Sequence, residues 1–174
     1  MALLPSRTRR WLLVGLLPLM LLLTGCTATG MGWIPSALDP TDKATFGFSF
    51  DVSSNGTTSA LSGSYHDPQG QTAAGVADVA FKGTGQLHKC TATDPLCVSA
   101  PPSKGQCLAG HPAYESQNSG LPGSGTFVLF VCDSDGNGIA TGDGLDLIQI
   151  DVDSGPYTGY HNEGNPQGNI TVKS

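Results

Sequence analysis

Arginine is absent after residue 10, and charge is scarce throughout: only 13% of the 174 residues are Asp, Glu, Lys or Arg. Beyond residue 25 the basic side chains reduce to Lys43, Lys82, Lys89, Lys104 and Lys173, against 14 acidic residues, for a net charge of about −9. Phosphate backbones are bound by clustered Lys and Arg, so nucleic acid is excluded as a partner. Nucleotides and anionic headgroups are disfavoured on the same ground. Helical periodicity is missing after residue 26, and 24 Gly with 12 Pro leave little room for long helices. No nucleophile elbow is present. Gly123-Ser124-Gly125 lacks the G-x-S-x-G pattern and the strand-to-helix turn that pattern needs. These absences argue against an enzyme.

The first residues read as an address. The charged stretch Ser6–Arg10 leads into the apolar run Trp11–Leu23. As a helix that run spans roughly 20 Å, short of a ~30 Å bilayer core, which is the layout of an export signal. Leu23-Thr24-Gly25-Cys26 then resembles the bacterial lipobox. The resemblance implies cleavage before Cys26 and attachment of acyl chains to its sulfur. Thr8-Arg9-Arg10-Trp11-Leu12-Leu13 is similar to a twin-arginine signal, but Leu12 and Val14 depart from it, and a general secretory signal is preferred. The expected layout is a signal peptide over 1–25, a lipidated tether over 26–32 and one domain over 33–174. Thr27 is not the Asp associated with inner-membrane retention, so the expected location is the cell membrane or the outer membrane, on the extracytoplasmic face.

Setting Cys26 aside leaves Cys90, Cys97, Cys107 and Cys132. An even number outside the cytoplasm reads as two disulfides, with three pairings open. Three of the four fall in an irregular, Pro-rich insertion of about residues 88–117, which cross-links would help to order. One bridge inside the insertion and one from it to Cys132 are expected. A metal site with His88 and His111 is the rival, but the cysteine spacings are wider than a zinc knuckle's.

Strand patterns fill the rest. Phe46, Phe48, Phe50 and Val52 alternate with small or polar residues, as do Ile148, Ile150 and Val152, while Gly125–Cys132 is almost wholly apolar. The pattern predicts an all-β fold, an antiparallel sandwich or small barrel of about seven or eight strands. Its expected core is Trp33, Phe46, Phe48, Phe50, Val79, Phe81, Phe127, Leu129, Ile148 and Ile150. Landmarks such as Ala44-Thr45-Phe46-Gly47-Phe48, Gly63-Ser64-Tyr65-His66-Asp67, Phe81-Lys82-Gly83-Thr84-Gly85 and Gly155-Pro156-Tyr157-Thr158-Gly159-Tyr160 resemble a family of bacterial extracytoplasmic β modules, the post-COAP domains. The resemblance implies architecture and location, and no activity.

Asp133-Ser134-Asp135-Gly136-Asn137-Gly138 reads as the first half of a calcium loop, with oxygens on alternate residues and a turn glycine. The second half fails: Gly144 stands where a bidentate Glu belongs. Asp133, Asp135, Asn137 and Asp143 are the candidate calcium ligands, against a plain polar hairpin loop. Calcium is the one candidate cofactor. Tyr65, Tyr114, Tyr157 and Tyr160 with Trp33 are weighed as an aromatic platform, against ordinary packing. His66 beside Asp67 and His161 beside Glu163 are pairs by adjacency only, since neighbours on a strand face opposite ways. The expected function is a lipid-anchored envelope module that binds an envelope protein or glycan, without catalysis. An envelope glycan hydrolase and a carrier of small apolar ligands are the alternatives.

Overall fold

The computed structural model describes residues 26–52, 58–91, 93–97, 106–133 and 146–173. Eleven strands follow in chain order: β1 (Cys26–Pro35), β2 (Lys43–Val52), β3 (Thr58–Thr72), β4 (Gly75–Gly85), β5 (His88–Lys89), β6 (Gln106–Gly110), β7 (Ala113–Ser116), β8 (Ser124–Asp133), β9 (Leu147–Val152), β10 (His161–Gly164) and β11 (Gln167–Lys173). A 3₁₀ turn at Pro95–Cys97 is the only helical element among the described residues. The strands pair antiparallel in the order β10-β9-β8-β7-β4-β3-β2-β1-β11, and the sheet curls into a half-barrel. The all-β fold is as expected. The strand count is higher, because the insertion and the expected tether both contribute strands.

Residues 26–32 are hydrogen-bonded to β2 on one side and β11 on the other. Their lack of hydrophobic alternation has a physical cause. Ala28, Gly30 and Gly32 stand directly opposite Phe50, Phe48 and Phe46. The three rings stack along the inside of β2, with centroids 5.9 and 5.5 Å apart. A Cβ on Gly30 would overlap the Phe48 ring, so the aromatic rank on one strand requires a rank of small residues on its neighbour.

The insertion is also part of the sheet. β6 and β7 run along the same edge of β8, pairing with Leu129–Asp133 and Ser124–Thr126 respectively. The chain bends between them at His111-Pro112, where proline has no N–H to give a ladder. Beyond the bend β7 joins β4, while β6 takes β5 as its outer neighbour. Leu108, Ala109 and Tyr114 from this segment are buried in the core, as is Leu87 just before it.

Nine of the ten expected core residues are buried. Trp33 is the correction: Ile34 takes the inward position in β1, and Trp33 lies partly exposed with Lys43 Nζ 4.3 Å from its ring centroid. The centre of the core is Phe81, whose ring meets Phe127 at 4.9 Å, Tyr114 at 5.0 Å, Tyr65 at 5.5 Å and Tyr157 at 6.3 Å between centroids. Phe81→Ala should therefore cost about 3–5 kcal/mol of unfolding free energy in denaturant titration. A loss below about 1 kcal/mol would contradict this packing.

Candidate functional site

Four places in the fold gather polar or reactive side chains. The first is a buried network at one end of the half-barrel. A bulge in β3 inserts one extra residue between Asp67 and Gly70, relative to Val79 and Ala77 of β4. The Gln69 N–H near the bulge donates to Asp67 Oδ1 at 3.1 Å. Ser36 Oγ donates to the same oxygen at 2.5 Å, while the Ala37 N–H and the Tyr160 hydroxyl donate to Oδ2 at 3.1 and 2.8 Å. Four donors from three separate segments thus converge on one fully buried carboxylate.

The network continues outward with a defined direction. Tyr160 gives its proton to Asp67, so Tyr65 donates to Tyr160 at 2.5 Å, and Asn162 Nδ2 donates to Tyr65 at 2.9 Å and to Pro35 C=O at 3.0 Å. Burial pushes both tyrosine hydroxyls well above their ordinary pKa. They remain neutral donors at any physiological pH. The arrangement is closed to substrate and joins β10 to β1 and β3.

The tyrosines do not form a platform. Tyr65, Tyr114, Tyr157 and Tyr160 are each 4% exposed or less, which leaves no ring face for a ligand. Their hydroxyls are spent inside: Tyr114 donates to Ser154 C=O at 2.9 Å and Tyr157 to Ala80 C=O at 3.1 Å. Among the described residues the interior holds a small apolar cavity of about 20 Å³, lined by residues such as Phe48, Phe81, Phe127 and Ile148. That is room for little more than one water, not an apolar ligand.

The second place is at the two ends of the candidate calcium loop. Asp133 is fully buried, and its Oδ2 accepts the Val172 N–H at 2.9 Å. Asp146 Oδ2 accepts the Ile170 N–H at 3.2 Å. These two carboxylates serve backbone donors of β11, a terminal strand of the sheet order. Asp135, Asn137 and Asp143 lie outside the described residues, as do residues 1–25 with the signal and twin-arginine features.

The third feature is that each of the four histidines pairs with an aspartate: His66 with Asp78 at 2.8 Å, His161 with Asp151 at 2.5 Å, His111 with Asp153 at 3.2 Å, and His88 with Asp94. Sequence neighbours are not the partners. His66 faces outward from β3 while Asp67 faces the core, as strand alternation requires. His161 instead meets the residue directly opposite it on β9.

The fourth place is the cysteine-bearing segment. Cys90 is bonded to Cys97 and Cys107 to Cys132, one bridge inside the insertion and one to the end of β8, as the composition predicts. The Cys107–Cys132 bridge is buried and links directly opposed residues of β6 and β8. The Cys90–Cys97 loop is fixed by the Cys90 N–H to Cys107 C=O bond at 2.9 Å and by Asp94, whose Oδ1 accepts the Leu96 N–H at 2.9 Å. Hydrogen bonding from His88 and from Leu96 holds the Asp94 carboxyl below its ordinary pKa. The Asp94 contribution to stability is therefore complete above the normal carboxylate range and fades as pH falls through the lowered value. His88 Nε2, Asp94 and Cys97 Sγ cluster here, with ligand atoms within 4.8 Å of one another. Of the two histidines of the rival metal set only His88 is in this cluster, and Asp94 stands in it where His111 was considered. An Asp-Pro step ahead of Cys97 signals the turn, but nothing in the sequence alone aims its carboxylate at His88.

Strand connections fix where this segment lies. Ala28 is opposite Val172, Val172 bonds to Asp133, and the adjacent Cys132 is bridged to Cys107, beside Cys90. The cysteine-bearing segment is therefore at the same end of the sheet as Cys26. The β3–β4 hairpin at Ala73-Ala74 is at the other end.

If Asp67 organises its end of the barrel, Asp67→Ala should cost about 3 kcal/mol or more, because several buried donors lose their acceptor at once. Tyr160→Phe removes one donor and should cost less, about 1–2 kcal/mol. Chemical denaturation of both variants checks the ordering, and equal small losses would contradict it. Comparisons with protein-family models, with curated proteins and with solved structures find no match for this chain.

Proposed function

We propose that this protein is a lipid-anchored module of the bacterial cell envelope that works by binding or structural contact, without catalysis. The observation that supports this reading most is the meeting of the lipobox-like Leu23-Thr24-Gly25-Cys26 with β1, whose first residue is Cys26. Acyl chains on that sulfur leave no spacer between anchor and sheet. The domain then lies against the headgroup layer, at the cell membrane or outer membrane. Durable anchoring needs two or more chains or a further signal, and a diacylated sulfur meets that need.

The chemistry of the described residues fits a non-enzymatic role. Asp67 and Asp133 are buried acceptors of structural donors, and four further aspartates are paired with histidines. The Cys90–Cys97 segment is the preferred contact surface. It shares the anchor's end of the sheet, so the partner is best sought close to the bilayer: a second anchored protein, or a glycan rooted in the same membrane. The wider insertion of about residues 88–117 is unsuitable for deletion, because Leu108 and Tyr114 are core residues.

Metabolic labelling with an alkyne fatty acid, followed by mass spectrometry and detergent phase partition, tests the anchor. The wild-type chain is expected to carry acyl groups on an N-terminal Cys26 and to enter the detergent phase. Cys26→Ala is expected to be unlabelled and to leave that phase. Equal partition of the two proteins, or a Cys26 without acyl mass, would overturn the proposal.

A further inference from the structure

We propose that the Cys90–Cys97 loop is a redox-gated zinc site, in which reduction of that one disulfide releases a Cys90, Cys97, His88 and Asp94 ligand set. Three of these ligands already cluster, with His88 nitrogen, Asp94 oxygen and Cys97 sulfur within 4.8 Å of one another. The fourth, Cys90 Sγ, is not within that distance of all three, but it is bonded to Cys97 Sγ and so lies one bond from the cluster. Two thiolates, one imidazole and one carboxylate make a complete tetrahedral set for Zn²⁺, the closed coordination of a structural site.

The local frame favours gating over collapse. His88 and Lys89 pair with β6, and the Cys90 N–H bonds to Cys107 C=O. None of these backbone bonds involves the sulfurs. Asp94 is oriented by its own turn, since it also accepts the Leu96 N–H while the Cys97 N–H bonds to its carbonyl at 3.0 Å. His88 Nε2 and Asp94 Oδ2 already meet, so a cation between them replaces an existing contact without recruiting either group from a distance. The two disulfides differ in access. Cys107 and Cys132 are 7% and 0% exposed, and Cys97 is 6% exposed, whereas Cys90 is half-buried and is the end of its bridge nearer to solvent.

The step balances with a dithiol as reductant. One thiolate of the dithiol attacks Cys90 Sγ, the Cys90–Cys97 bond breaks, and Cys97 leaves as a thiolate. The second thiol of the reductant resolves the mixed disulfide, so the reductant is oxidised and both cysteines emerge reduced. Zn²⁺ then takes the two thiolates, displacing the protons they would otherwise carry, together with neutral His88 and ionised Asp94. In the oxidised chain the sulfurs are bonded to each other and offer no thiolate, so the metal is not retained.

Full-length chain in detergent, reduced by a phosphine that takes up oxygen from water and does not compete for metal, provides the test. The probes are Zn²⁺ by equilibrium titration and Co²⁺ by absorption. Expected results are one metal per chain after reduction, none before, and visible ligand-field bands with sulfur-to-cobalt charge transfer. Cys90→Ser/Cys97→Ser should abolish uptake, while His88→Ala should weaken it by at least the roughly 10–100-fold typical of losing an outer-shell partner. Near-ultraviolet circular dichroism follows the tertiary structure throughout. Undiminished binding by the double serine variant, no binding by the reduced chain, or loss of tertiary structure on reduction would each overturn the proposal.

Discussion

One buried carboxylate sets the terms for the rest of the fold. Asp67 lies where the β3 bulge, the turn after β1 and the residue leading into β10 meet, and each of these brings it a donor. A curled sheet that does not close by strand pairing must tie its ends together in another way. Here a charge-assisted hydrogen-bond cluster does so between β10 and the β1–β3 side. At the opposite rim, Asp133 and Asp146 do the same for β11 by accepting its backbone N–H groups. A buried carboxylate without donors would be strongly destabilising, so Asp67 is tolerated only because every segment around it is in place. The bond network therefore specifies one arrangement of the ends as well as stabilising it.

The same economy explains the aromatic core. Phenylalanine and tyrosine rings centred on Phe81 fill the middle of the interior, flanked by aliphatic side chains such as Ile34, Leu108, Ile148 and Ile170. Rings of that size need small neighbours, and the glycine and alanine rank of β1 provides them opposite β2. Tyrosine hydroxyls that would be costly in an apolar interior are matched to carbonyls, to each other or to Asp67.

These features set what was legible in the sequence. β2 and β9 were plain, because bulky side chains alternate with small or polar ones over their full length. The division of the four cysteines into one local and one long-range bridge was legible from their placement in the insertion. β1 was not, since its inward positions are small because their partners are large, and that relation appears only when the two strands are paired. Trp33 was misplaced inward for the same reason. The sequence left an aromatic platform and ordinary packing both open for the tyrosines, because the acceptors of their hydroxyls are up to 95 residues away in the chain. Asp94 could not be assigned to His88 by spacing, because the contact depends on a 3₁₀ turn.

The directed chain from Asn162 through Tyr65 and Tyr160 to Asp67 is the interaction that ties β10 to β3. Nuclear magnetic resonance of the hydroxyl and amide protons tests it most directly. Observable, slowly exchanging hydroxyl protons on Tyr65 and Tyr160, in contact with each other, are predicted, with Ala37 and Gln69 amides exchanging only on global unfolding. Hydroxyl protons in rapid exchange with water, and amides that exchange as freely as those of an exposed loop, would contradict the account.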